Sequence, residues 1–111
     1  MNIYDTANQL ERELRSLPEY TTLKEEITKV KADSQAFALF EEFKKMQKDL
    51  EQKMMKGEVP IAEEQTKMQE IAGRIDKNEI LSAMLQKERA FSMIVEDVMK
   101  LIQAPVQDIY K

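Results

Sequence analysis

Five helix-breaking residues, Pro18, Gly57, Pro60, Gly73 and Pro105, are spread through a chain of 111 residues. Average usage is about 7% glycine and about 5% proline, so long stretches here carry nothing that interrupts helical geometry. The residues between are chiefly Glu, Lys, Gln, Ala, Met and Leu, which lose little rotamer freedom in a helix. The expected fold is all-α, with the breakers as its punctuation.

Ile3, Ala7, Leu10, Leu14 and Leu17 recur at steps of four and three, which places one apolar stripe on a first helix capped by Asn2. Pro18 disfavours helical geometry at Leu17, and Ser16 followed by Glu19 matches a capping box for a second helix. The stripe of that helix is Tyr20, Leu23, Ile27 and Val30, and Asp33 is placed to cap the next. The third helix runs from Ser34 to about Lys56, with Ala36, Phe37, Leu39, Phe40, Phe43, Met46, Leu50 and Met54 on a broad apolar face and Gly57 as its C′ residue. At 1.5 Å per residue it is roughly 35 Å long, more than one chain of this size readily covers.

After the turn Gly57-Glu58-Val59-Pro60, a fourth helix carries Ile61, Met68, Ile71, Ala72 and Ile75, with Glu63 and Glu64 in the first turn, where the helix dipole favours negative charge. The next apolar positions, from Ile80 and Leu81 to Leu101 and Ile102, fall out of phase with that stripe. Asp76 and Asn78 are candidate caps at the slip, so either the chain breaks there or one long helix rotates its apolar face. Ala104-Pro105 is expected to stop the last helix, leaving Val106 to Lys111 as a tail whose Ile109 and Tyr110 pack back.

The chain has no cysteine, histidine or tryptophan, and 17 basic residues stand against 21 acidic ones for a net charge of −4. Zinc sites built on Cys or His, Cys-ligated clusters and nucleophile–His catalysis lack their ligands or bases, and no cofactor or metal is expected. Nonspecific duplex binding lacks its basic excess. With no apolar run of membrane-spanning length and no signal-peptide pattern at the start, the expectation is a single cytoplasmic domain over residues 1–111 with no membrane partner.

Several constellations carry a possible chemistry. The acid pairs Glu25-Glu26, Glu41-Glu42, Glu63-Glu64 and Glu96-Asp97 point about 100° apart on a helix, so they read as solvated or ion-paired surface rather than metal sites. Gly57 and Gly73 stand alone and form no phosphate loop. Lys44, Lys45, Lys48, Lys53 and Lys56 make the third helix locally basic, which suits either RNA or an acidic partner, or a solvated face with pairs Glu41–Lys45 and Asp49–Lys53. The lack of interleaved arginines and exposed aromatics favours the solvated face.

Eight methionines, among them Met46, Met68 and Met84 on helical stripes, suit an adaptable core. Met55 and Met93 lie beside their stripes and are candidates for contact with another subunit. From Phe91 to Ile102 apolar residues occupy more than one face, the pattern of a helix buried on both sides.

The order Tyr4-Asp5-x-Ala7-x-x-Leu10, Leu14-Arg15, Pro18-Glu19-Tyr20-x-x-Leu23-Lys24, Ala32-Asp33-x-x-Ala36-x-x-Leu39-Phe40-x-x-Phe43, then Gln47, Gln52-Lys53 and Lys56-Gly57-Glu58, resembles the YheA branch of the YlbF/YmcA family of small bacterial helical proteins. The ending Pro105-Val106-Gln107-Asp108-Ile109-Tyr110 is similar to that branch too. The resemblance implies an all-helical cytoplasmic protein of Gram-positive type bacteria that assembles through long helices. Relatives in the family act as non-enzymatic partners in a complex that influences RNA processing by an endoribonuclease, and through it competence, biofilm formation and sporulation. Those relatives bind iron–sulfur clusters through cysteines, which this chain lacks, so the cofactor does not carry over.

The resulting expectation is four to five helices with long antiparallel members, a bundle formed or completed by oligomerisation. The function expected is a non-enzymatic interaction or regulatory adaptor whose partners are a second copy of itself and another cytoplasmic protein. The residues taken as the subunit contact are Phe37, Phe40, Phe43, Met54, Met55, Phe91, Ile94 and Val98. Two alternatives accompany it: RNA association through Lys44 to Lys56, and binding of a small apolar ligand between helices lined by Met and Phe.

Overall fold

A computed structural model describes residues 2–111. Among them are five helices, α1 Ile3–Ser16, α2 Pro18–Ala32, α3 Ser34–Met55, α4 Ala62–Asp76 and α5 Glu79–Ile109, and no strand. The all-α expectation holds, and the open question at Asp76–Asn78 resolves as a break.

Most boundaries follow from local chemistry. The Asn2 carboxamide oxygen accepts from the Tyr4 and Asp5 amides at 2.9 and 3.0 Å, and the Asp5 carboxylate accepts from the Asn2 amide, a reciprocal capping box. Asp33 accepts from the Ala36 amide and Asn78 from that of Leu81, each at 2.9 Å. Asp76 is not a cap but the last residue of α4. At the end of α3, Gly57 takes φ +77°, its amide donates to the Met54 carbonyl, and the Glu58 amide donates to that of Lys53. These are the two hydrogen bonds of a Schellman motif, and Gly57 is the residue type it needs.

Two boundaries differ from the expectation. Ser16 ends α1 rather than capping α2, and its hydroxyl donates back to the Arg12 carbonyl at 2.9 Å. The junction is Leu17, extended at φ −68° and ψ 142°, whose carbonyl accepts from the Tyr20 and Thr21 amides. Pro18 then opens α2, a position where its missing N–H removes no helical bond. The second difference is at Pro105, which lies inside α5 instead of stopping it. Proline there removes one bond, to the Leu101 carbonyl, while the neighbouring Gln103, Ala104 and Gln107 favour helix. Ile109 and Tyr110 consequently do not pack back, at 77% and 85% exposed.

The chain divides into two compact units. One is Glu26–Met84, and it holds seven of the eight buried apolar residues among those described: Val30, Ala36, Leu39, Ile71, Ile75, Leu81 and Met84. Burying each of the larger ones contributes about 1.5–3 kcal/mol relative to exposure. The other consists of the chain up to Glu25 with Leu85–Lys111, and among its described residues the one buried apolar residue is Leu23. No described helix is long and apolar enough to cross a membrane.

Candidate functional site

The unit built on α1 and the distal part of α5 displays apolar stripes it does not bury. On α1, Leu10 and Leu14 are half-buried, Ile3 and Ala7 are exposed, and no residue is buried. On α5, Phe91, Ile94, Val95 and Val98 are half-buried, whereas Leu101 is 75% exposed and Ile102, Val106 and Ile109 are also open. Phe91, Val95, Val98, Ile102, Pro105 and Ile109 follow one another at steps of four and three, the spacing of a coiled-coil seam. The same alternation runs through Ile3, Ala7, Leu10, Leu14 and Leu17.

Polar contacts trim this unit without closing it. Arg15 donates to Glu11 at 3.0 Å and to the Tyr20 hydroxyl at 3.3 Å. Its guanidinium is held even more firmly protonated than usual, first by the Glu11 hydrogen bond and then by the Tyr20 and Glu11 charges. The Lys24 ammonium sits 5.6 Å from the centroid of the Tyr20 ring.

In Glu26–Met84, α3 and α4 form an antiparallel pair held by two ion pairs. Glu42 of α3 accepts from Arg74 of α4 at 2.8 Å, and Lys53 of α3 donates to Glu64 of α4. Glu64 also accepts from the Ile61 amide at 3.0 Å, opening α4. Its carboxyl is held below the usual range by Lys53 first and by that amide second. Between the two ion pairs lies a groove of about 410 Å³. Its apolar lining is Met46, Leu50 and Met68, all half-buried, and its unpaired charged lining is Lys45, Asp49 and Lys67.

The expected contact residues divide between the two units. Phe91 and Val98 lie on the α5 stripe and Ile94 beside it, all half-buried; Phe37, Met54 and Met55 are exposed on α3, Met55 at 87%, while Phe40 and Phe43 are half-buried. Sequence reading carried no surface past Ile102, because Pro105 reads as a stop; Pro105 and Ile109, which continue the stripe from Ile102 at steps of three and four, were the available signal.

The five lysines do not share one condition. Lys44 pairs with Glu41 at 2.9 Å and lies 4.6 Å from the Phe40 ring centroid, and Lys53 is taken up by Glu64. Lys45, Lys48 and Lys56 are exposed. The expected pairs Glu41–Lys45 and Asp49–Lys53 are thus replaced by Glu41–Lys44 and Lys53–Glu64. The acid pairs are split among different bases: Glu26 meets Lys29, Glu41 meets Lys44, Glu42 meets Arg74 and Glu64 meets Lys53. Among the described residues no group of three or more acids is arranged to hold a metal ion.

Comparison with known proteins agrees with this architecture. The family model described as "Control of competence regulator ComK, YlbF/YmcA" matches residues 3–107. A UPF0342 protein of Streptococcus pyogenes serotype M4 is 41% identical over 109 residues, covering 98% of this chain and 96% of that protein. Another from Pediococcus pentosaceus is 40% identical over 111 residues, covering 100% and 97%. Among solved structures, a protein of unknown function (DUF964) from Bacillus stearothermophilus superposes with a TM-score of 0.83 at 23% identity, covering 98% of this chain and 96% of that one. YheA from Bacillus subtilis gives a TM-score of 0.73 at 28% identity, covering 99% and 100%. Helix order, length and sequence together make this chain a member of the YlbF/YmcA family, in its YheA-like, UPF0342 branch.

Proposed function

We propose that this chain is a non-enzymatic cytoplasmic adaptor that works as a homo-oligomer, its subunits joined through α1 and the distal half of α5. One observation carries the reading: among the described residues of the unit containing these helices Leu23 is the one buried apolar residue, while the apolar stripes with coiled-coil spacing on both helices are at most half-buried. Two helices alone leave much of their apolar surface in water, and a second pair laid against them makes a four-helix bundle with a core. A second copy supplies such a pair with matching stripes. Phe91, Ile94 and Val98 belong to this contact, and Leu101, Ile102 and Ile109 extend it.

The regulatory part of the reading rests on the family, whose description names control of a competence regulator. The RNA-binding alternative gains no comparable support, since Lys44 and Lys53 are engaged within the chain.

Sedimentation or light scattering at micromolar concentration tests the assembly, with an expected mass of at least two chains. Leu101→Glu with Ile102→Glu places two charges on surface that is already exposed in one copy, so each chain stays folded and the mass falls to one chain. A wild-type protein with the mass of one chain overturns the proposal.

A further inference from the structure

The α3–α4 groove is a second feature, separate from self-association, and its chemistry is specific. An interhelical ion pair marks each end, Glu42–Arg74 one and Lys53–Glu64 the other. From Glu42 to Lys53 the helix rises about 16 Å at 1.5 Å per residue. The stretch between the two interhelical ion pairs is only about three turns of helix, short for docking a partner helix. It suits a small molecule, and about 410 Å³ lies in the range of ligand sites.

The lining specifies the ligand's character. Met46, Leu50 and Met68 present an apolar surface with the adaptable side chains found where ligands vary in shape. The acids Glu42 and Glu64 are already neutralised by Arg74 and Lys53, which do not line the groove. Lys45 and Lys67 line it without an ion-pair partner among the described residues, against the single unpaired acid Asp49. The groove therefore offers an apolar strip with a surplus of one positive charge.

We propose that this groove binds a single-chain amphiphilic carboxylate, its alkyl chain along Met46, Leu50 and Met68 and its carboxylate met by Lys45 or by Lys67, which stand three residues in from opposite ends of the groove. With carbon–carbon bonds of about 1.5 Å, an extended chain of roughly ten to twelve carbons fits between the two ion pairs.

Laurate, titrated below its critical micelle concentration into the full chain carrying ¹³C-methyl methionine, tests the site. The methyl signals of Met46 and Met68 shift saturably, while those of Met54, Met55, Met93 and Met99 stay in place. The Lys45→Glu, Lys67→Glu double variant, checked for unchanged helicity, binds laurate about tenfold more weakly or worse, the loss expected for a charge-assisted contact. It gains affinity for dodecyltrimethylammonium instead. Unmoved Met46 and Met68 signals overturn the proposal, as they would if an acidic peptide were the true occupant. So do shifts spread over all the methionines, tighter wild-type binding of dodecyltrimethylammonium than of laurate, or equal laurate binding by wild type and variant. None of these readouts depends on the oligomeric state.

Discussion

The ring of Tyr20 packs against that of Phe91 with centroids 5.5 Å apart and planes tilted by 55°. Tyr20 stands in the first turn of α2, just after the Leu17-Pro18 junction, and Arg15 at the end of α1 donates to its hydroxyl. One aromatic side chain thus touches both the end of α1 and the α5 stripe. Both rings are half-buried, in a unit whose one buried apolar residue among the described ones is Leu23.

Phe91→Ala is expected to lower stability by about 1–3 kcal/mol, less than a fully buried Phe because the ring is half-exposed. Tyr20→Phe keeps the ring contact and loses only an exposed hydrogen bond, so its urea midpoint stays near wild type. A loss from Tyr20→Phe as large as that from Phe91→Ala would show that the hydroxyl holds the junction as much as the ring pair does.

The two glycines are expected to respond in opposite directions to alanine. A Cβ at either position meets open space, so only the backbone decides. Gly57 sits at φ +77°, where an L side chain is strained, and Gly57→Ala should cost about 1 kcal/mol. Gly73 lies inside α4, and Gly73→Ala should stabilise by up to about 1 kcal/mol through helix propensity and a less flexible unfolded chain. Urea denaturation of both variants checks the sign.

These contrasts bear on what the sequence made legible. The caps at Asn2, Asp33, Asn78 and Gly57 involve residues a few positions apart, and the residue types alone announce them. Ser16 and Glu19 carried the same signature and did not form a capping box, because the chain turned one residue later at Leu17. Lys53 could have reached Asp49 one turn away; it meets Glu64 instead, a choice made by the α3–α4 pairing rather than by local spacing. A ligand site between helices lined by Met and Phe was one reading of the sequence, but its place was not legible, because Lys45 and Lys67 come to line one groove only through the α3–α4 pairing. Pro105 is a different failure: a breaker that removes one hydrogen bond was given the weight of a terminator.

Pro105 carries a consequence of its own. Pro105→Ala restores an N–H for the Leu101 carbonyl and removes the ring's crowding of the preceding turn, which near a helix end is worth about 1 kcal/mol or more. Amide exchange at Val106 to Tyr110 should slow in this variant. If α5 truly ended at Ala104, those amides would exchange at unfolded rates in both proteins.

Glu64 gives the interhelical pair a defined pH response. Hydrogen bonds from Lys53 and from the Ile61 amide hold its folded carboxyl below the ordinary value near 4.5. A carboxyl depressed by folding contributes its full share of stability above the unfolded pKa and loses it as pH falls through the folded one. The stability difference between wild type and Glu64→Gln is therefore constant at neutral pH, begins to shrink near pH 4.5, and flattens once both states are protonated. Lys53→Met removes the larger of the two causes and keeps the amide bond, so its pH dependence in that window is weaker than wild type but not absent. Urea unfolding of the three proteins at matched ionic strength measures the curves. An identical acid dependence in all three would mean that Glu64 titrates in the folded protein as it does in the unfolded chain, and that Lys53 does not hold it.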